Sequence, residues 1–481
     1  MLNNDTQHWL NFIGGEWKDS TTAIDVRDPS TDSVFATIAS ATVDDAEKAI
    51  QAARACVKQG LLTRQRPAQR AELMYRIGRE IRNIVEEGAV LASRENGKSI
   101  NDARDEFTEA ARYFEYYAGI ADKIEGKSIP LGEDYMDFTI YEPQGISVQI
   151  VPWNFPVSIC ARSLAPALAA GNAVIVKSPE LSPLAITLLA TACERAGLPK
   201  GALSVLAGPG RKIGAALVAH QETNQIVFTG SVPTGRSIMR DAAENSVPCI
   251  MELGGKSAAV AFPDADLDQL ISSVRWGIFF NAGQVCSAMS RLLVHRDIYD
   301  EVVSRVAELA TGLSIGAGKD NPELTPVVSM QQRDGILTIC NQAVEDGARL
   351  VCGGAAVEGL PGAFVQPTVF ADVTTDMRLF TEEVFGPVIA LTPFDNEAEA
   401  FALANATDYG LVAGVFTQDV SRAMRAAQAL DAGQVFVNEW FAGGIETPFG
   451  GNRLSGYGRE KGQEALYSYV RTKNVAIRVS R

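Results

Sequence analysis

Histidine is nearly missing from this chain: three of 481 residues, His8, His220 and His295. That scarcity argues against a multi-histidine zinc or iron site, so no metal is expected. Cysteine is also sparse. The seven, at 56, 160, 193, 249, 286, 340 and 352, are scattered, odd in number and never spaced CxxC, which excludes a disulfide framework and fits a reducing, cytoplasmic setting. Positive charge is in deficit, with 43 Lys and Arg against 58 Asp and Glu and a net charge of −15. An acidic surface disfavours nucleic acid and anionic membranes as partners. The opening MLNNDTQHWL has no basic region followed by an apolar core, so a signal peptide is not expected. The longest uncharged stretch, residues 143 to 161, contains three prolines together with Gln and Asn, the wrong composition for a membrane helix.

What is present is enough apolar material, 46% of residues, for a sizeable core and two or three domains. Apolar positions at helical spacing predict three N-terminal helices over 43–59, 67–92 and 98–122, and residues 124–142 suit an extended hairpin. The strand-like runs ISVQIV, AVIVK, LSVLA, QIVFTG and VPCIME then alternate with amphipathic stretches. That alternation predicts βαβ units on a parallel sheet, with ligands at the C-terminal strand ends. A second alternating series runs from KSAAVAF (256–262) to VFVN (435–438), so a boundary is expected near Leu253 to Lys256. The tail TKNVAIRV reads as a late strand that joins the hairpin or another subunit.

Several segments carry candidate chemistry. Cys286, in GQVCS, follows Gly283 and precedes Ser287; its thiolate could attack a carbonyl carbon, although an unpaired cysteine is more often a small buried hydrophobe. Asn154, in VPWNFP, stands where a strand gives way to a helix and is either an N-cap or an amide donor to an oxyanion. Lys177 and Glu180 close another strand, as partners for ribose hydroxyls or as a solvated loop. Phe228-Thr229-Gly230-Ser231 precedes a helix whose first amides could meet a pyrophosphate. Glu252 follows Ile250 and Met251, where burial would raise its pKa toward base chemistry. By contrast, Gly208 to Gly214 reads GxGxxxG, one residue too long for a dinucleotide fingerprint, and is taken as a turn and helix start.

In this order, PWNFP, FTGS, ELGGKS, GQVCSAMSR, EEVFGPV and PFGGNRLSGYGRE resemble the motifs of the NAD(P)-dependent aldehyde dehydrogenase superfamily over nearly the whole chain. The resemblance implies an α/β fold: a Rossmann-like parallel-sheet cofactor domain (1–121 and 145–254), an α/β catalytic domain (255–466), and a small β bridging element (122–144 and 467–481) that supports dimers or tetramers. It implies Cys286 as nucleophile and Asn154 with the Cys286 backbone amide as oxyanion donors. Glu252 is then the base that activates water, and Glu460 a proton relay. Pro152, Trp153, Gly230, Ser231 and Leu253 would line the dinucleotide site, Lys177 and Glu180 would hold the adenine ribose, and Glu383 and Phe385 the nicotinamide riboside. Ser163 stands where the family often has lysine, which puts the relay in question.

The negative charge of Glu180 would repel a 2′-phosphate, so NAD is expected over NADP. For the aldehyde, Arg162 is either a carboxylate anchor, as in semialdehyde dehydrogenases, or a structural ion pair. Phe155, Phe280, Ser287, Trp440 and Phe441 would shape the entrance, so the expected substrate is a semialdehyde or an aromatic or medium-chain aldehyde. Two alternatives remain at this stage: a CoA-acylating enzyme and a non-catalytic relative on the same fold.

Overall fold

The computed structural model describes residues 7–479. The first six residues of the polar opening, and residues 480–481 of the expected bridging element, lie outside the described residues.

Two large sheets organise the molecule. The first has eight strands, whose five central members run in spatial order Cys249–Glu252, Gln225–Thr229, Ile146–Ile150, Ala173–Lys177, Leu203–Leu206, all parallel. Their apolar runs are buried along nearly their whole length, as expected for a parallel sheet covered on both faces. Antiparallel strands close both edges: Gly456–Tyr457 beside Cys249–Glu252, and the hairpin Asn11–Ile13 and Glu16–Lys18 beside Leu203–Leu206. In register, Ile150 pairs with Lys177 and Phe228, Lys177 with Leu206, and Thr229 with Glu252. The C-terminal ends of the five strands therefore form one line, and the residues just beyond them share one rim.

The second sheet has seven strands, in order Arg349–Cys352, Thr368–Ala371, Val388–Phe394, Arg291–His295, Ala258–Ala261, Val412–Phe416, Gln434–Val437. All are parallel except the edge strand Arg349–Cys352. Each sheet has its own apolar core, and residues 253–257 carry the chain from one to the other.

The expected hairpin forms strands Ser128–Ile129 and Tyr135–Pro143, and the tail joins it: Val470–Arg478 pairs antiparallel with Tyr135–Pro143 along its full length. Two expectations need correction. The predicted helix over 67–92 is two helices, Pro67–Asn83 and Val85–Asn96, broken at Ile84 (φ −112°, ψ 10°). The break lets the second helix fold onto Ile100–Ile120, with Gly88 so close to the Phe107 ring that a Cβ there would come within 2.3 Å. The N-terminal strands, including Ala23–Asp28 and Ser33–Ala39, were not anticipated. Several are only three residues long, too short to show a period of two.

Candidate active site

The rim of the first sheet meets the residues that precede strands of the second, and the two enclose a cleft of about 240 Å³. From the first sheet come Pro152, Trp153, Asn154, Gly230, Ser231, Glu252 and Leu253; from the second come Cys286, Glu383 and Phe385. Cys286 also lines a second cavity, a tunnel of about 380 Å³, with Phe155, Arg162, Phe280, Ser287 and Phe441. The thiol thus stands at the junction of two cavities.

The segment leading to Cys286 is held under strain. Asn281 and Ala282 both adopt left-handed backbone (φ 48° and 52°), at a cost of about 1–3 kcal/mol each. Side-chain bonds keep them there: Gln284 donates from Nε2 to the Asn281 carbonyl at 3.1 Å and accepts at Oε1 from the Val328 amide at 2.8 Å. Gly283 (φ 72°) passes so close to the Gly386 carbonyl that a Cβ would lie 2.0 Å from it, so only glycine fits. Asn154 is no N-cap, because Phe155 holds that position before the helix Pro156–Ala170. Its side-chain Nδ2 donates instead to the Gln284 carbonyl at 3.0 Å, which fixes the amide beside the cysteine loop and leaves its second N–H for another acceptor.

Glu252 is buried at 2% exposure, and neither carboxylate oxygen has a hydrogen-bond partner among the described residues. Its pKa is raised well above the usual carboxylate range, by burial first and then by the Glu460 charge, against the pull of Arg162 and Arg459. Gly450 makes room for it: a Cβ there would come within 2.8 Å of Glu252 Oε1. Burial also pushes the Cys286 thiol up to about 12, while Arg162 opposes the shift. A thiol attacks a carbonyl, and a carboxyl takes up a proton, only when deprotonated. An activity that uses either group is therefore expected to climb with pH through the neutral and alkaline range, approaching tenfold per unit where one deprotonation limits it. Arg162→Met should displace that limb to higher pH in a steady-state pH profile; an unshifted limb would reject the electrostatic role of the arginine.

Arg162 is 7% exposed and forms a short ion pair with Glu460, with Thr229 Oγ1 at 3.5 Å and the Phe449 ring centroid at 5.2 Å. Ser163 Oγ donates to the other Glu460 oxygen at 2.5 Å. In place of one lysine, the adjacent pair Arg162 and Ser163 meets this carboxylate. Glu460 itself lies behind Arg162 and outside the residues lining either cavity.

The cleft suits a dinucleotide. Trp153 and Phe385 meet edge to face at 5.3 Å, and Ser231 stands at the N-cap position of the helix Val232–Glu244 with its hydroxyl on Thr234 Oγ1 at 3.0 Å, at a helix N-terminus of the kind that meets anions. Glu383 accepts the Gly255 amide at 3.1 Å and is raised to about 7 by burial. Lys177 and Glu180 stand apart from the cleft lining. They form a cluster further along the rim, 3.7 Å from each other, with Glu180 accepting the Gly210 amide at 2.9 Å. The GxGxxxG stretch is accordingly a turn and helix start whose amide orients Glu180.

Trp440 is placed differently from expectation. It is 4% exposed, lies behind the tunnel wall, and donates Nε1 to the Ser287 carbonyl at 3.1 Å; it supports the wall without lining it. Sequence reasoning missed other tunnel residues, among them Asp102, Asp105, Glu109, Tyr113 and Phe449. The first four lie three or four residues apart on the helix Ile100–Ile120, and that polar stripe was a readable signal. Among the described residues no group of three or more His, Cys, Asp or Glu is placed to hold a metal ion, and no helix is long and apolar enough to cross a membrane.

Comparison with known proteins agrees with this geometry. Residues 17–475 match the aldehyde dehydrogenase family. Betaine aldehyde dehydrogenase of Cereibacter sphaeroides is 43% identical over 86% of this chain and 85% of its own. Retinal dehydrogenase 2 of Gallus gallus is 38% identical over 99% and 93%. The structure of an aldehyde dehydrogenase from Bacillus cereus in complex with NAD+ superposes with a TM-score of 0.97 at 37% identity, covering 98% of this chain and 97% of that one. By sequence and fold alike, this chain belongs to the aldehyde dehydrogenase family.

Proposed function

We propose that the protein oxidises an aldehyde to a carboxylic acid with NAD, through a thioester on Cys286. The observation that carries this reading is the place of Cys286 at the meeting of tunnel and cleft, which lets one sulfur face an aldehyde from one side and a dinucleotide from the other. Bound in the cleft, the nicotinamide supplies the hydride acceptor. The protein's own part is to deliver the thiolate to the carbonyl carbon and to hold the resulting oxyanion with Asn154 Nδ2 and the Cys286 amide. Once hydride has left the tetrahedral carbon, the acyl group remains on sulfur. Glu252, in the same cleft, takes a proton from the water that releases the acid. A carboxylate base lining the same cleft as Cys286 supports hydrolysis over transfer to CoA.

Preference for NAD rests on Glu180, oriented by Gly210 at the rim, whose charge opposes a 2′-phosphate. The division into cofactor domain, catalytic domain and bridging element follows the two sheets and the hairpin. The bridging strand Val470–Arg478 has one edge unpaired among the described residues, which suits a second subunit in a dimer or tetramer.

For the substrate, the tunnel favours an apolar or aromatic body. Phe155 and Phe280 stack at 5.7 Å, Phe441 adds an edge at 6.3 Å, and the Arg162 charge is answered by Glu460. That pairing weakens the semialdehyde reading. Asp102, Asp105 and Glu109 on the same wall support a second reading, an aldehyde with a cationic tail. A panel of benzaldehyde, octanal, succinate semialdehyde and betaine aldehyde, each assayed with NAD and NADP, separates these. The expected order of kcat/KM places succinate semialdehyde last by about tenfold or more, consistent with a like-charge penalty of about 1.4 kcal/mol. A succinate semialdehyde rate that leads the panel and collapses in Arg162→Ala would reinstate the carboxylate anchor, and a preference for NADP would sink the role given to Glu180.

A further inference from the structure

The loop that carries Asn154 is gripped by side chains from a stretch with no catalytic group of its own. Asn96, at the end of the helix Val85–Asn96, donates from Nδ2 to the Trp153 carbonyl at 2.7 Å. Lys98 donates from Nζ to the Asn154 carbonyl at 2.8 Å and to Glu106 Oε2 at 2.6 Å. The other Glu106 oxygen accepts the backbone amides of Val157 and Ser158, at 2.8 and 3.1 Å. Asn281 Nδ2, from the cysteine segment, reaches the same Asn154 carbonyl at 3.2 Å. One carbonyl is thus held from the N-terminal helices on one side and from the nucleophile's loop on the other.

Asn96 and Lys98 are fully buried, and Glu106 is 3% exposed. A buried ion pair is a poor stabilising device, because desolvation offsets most of its Coulomb gain. What this pair does achieve is definition: its remaining bonds fix the backbone at residues 154, 157 and 158. The helix that follows has no side-chain N-cap, so its first free amides depend on Glu106. Neither Asn96 nor Lys98 lines the tunnel or the cleft.

We infer that Lys98 and Asn96 are positioning residues for the Asn154 amide, acting on the reaction through the backbone of the 153–158 loop, with Glu106 as the counter-ion that holds Lys98 in place. This rests on the reading of Asn154 as oxyanion donor. Misplacing a donor by about 1 Å costs on the order of a hundredfold in rate, so Lys98→Met should lower kcat by about 10- to 100-fold while KM for aldehyde and for NAD changes by less than about threefold.

The test is a kinetic double-mutant cycle on the full-length enzyme. Asn154→Ala alone should cost about a hundred- to a thousandfold in kcat. In that background Lys98→Met should add less than about twofold, since the group it positions is gone. A Lys98→Met loss repeated in full beside Asn154→Ala overturns the inference while leaving the oxyanion reading intact. An Asn154→Ala enzyme with wild-type kcat overturns the oxyanion reading itself, and the inference with it. Should Lys98→Met lack a cooperative thermal transition, Asn96→Ala, which removes one neutral hydrogen bond, takes its place in the cycle. Its expected loss is about three- to tenfold and should likewise vanish beside Asn154→Ala; an unchanged kcat, or a loss that persists there, is the contradicting result.

Discussion

Replacing Cys286 by alanine should lower kcat for aldehyde oxidation by about four orders of magnitude or more, the scale seen when a covalent nucleophile is removed from an otherwise intact site. NAD affinity, read by quenching of protein fluorescence, should stay within about threefold, because the lost sulfur is one small group in a cleft lined by a dozen other residues. Cys249 supplies the control. It is another half-buried thiol, but it lies at the start of its strand, away from the rim and facing Tyr457, so Cys249→Ser should keep nearly full activity. Loss of activity in Cys249→Ser with retention in Cys286→Ala would reverse the assignment.

Glu252→Gln has the next largest expected effect and a more specific signature. The amide matches the carboxylate in size, so the packing around Gly450 survives, but it cannot take a proton from water. Thiolate attack and hydride loss do not require that proton transfer, whereas release of the acyl group does. Stopped-flow absorbance should show a burst of about one NADH per active site, followed by a steady rate about a thousandfold below wild type. Adding CoA should leave that slow rate unchanged. A slow first turnover without a burst would place Glu252 before the thioester, and a steady rate restored by CoA would favour the acylating alternative.

Much of this arrangement was legible in the residues. Strands such as Ala173–Lys177 and Gln225–Thr229 announce themselves as short uninterrupted apolar runs between amphipathic stretches, because a parallel sheet buries both faces. The resemblance assigned Cys286, Asn154 and Glu252 together; the register that brings Asn154, Gly230 and Glu252 to one rim then follows from strand order. What was hidden depends on non-local contact. Nothing near Arg162 in sequence announces Glu460 as its partner, so ion pair and carboxylate anchor could not be told apart. Trp440 looks like an entrance aromatic until its indole N–H is seen bonded to the Ser287 carbonyl behind the wall. The grip of Lys98 on Asn154 spans 56 positions, and neither residue signals the other. The short N-terminal strands were missed for the opposite reason: pairing partners define them, since three residues carry too little pattern.

The central claim is that the oxidised substrate is carried as an acyl group on Cys286, and acid quench of Glu252→Gln during steady turnover with benzaldehyde and NAD tests it most directly. Mass analysis of the proteolysed protein should find a benzoyl thioester on the peptide bearing Cys286, in about one copy per chain. A benzoyl group on any other cysteine, or none at all while NADH still accumulates, would contradict it.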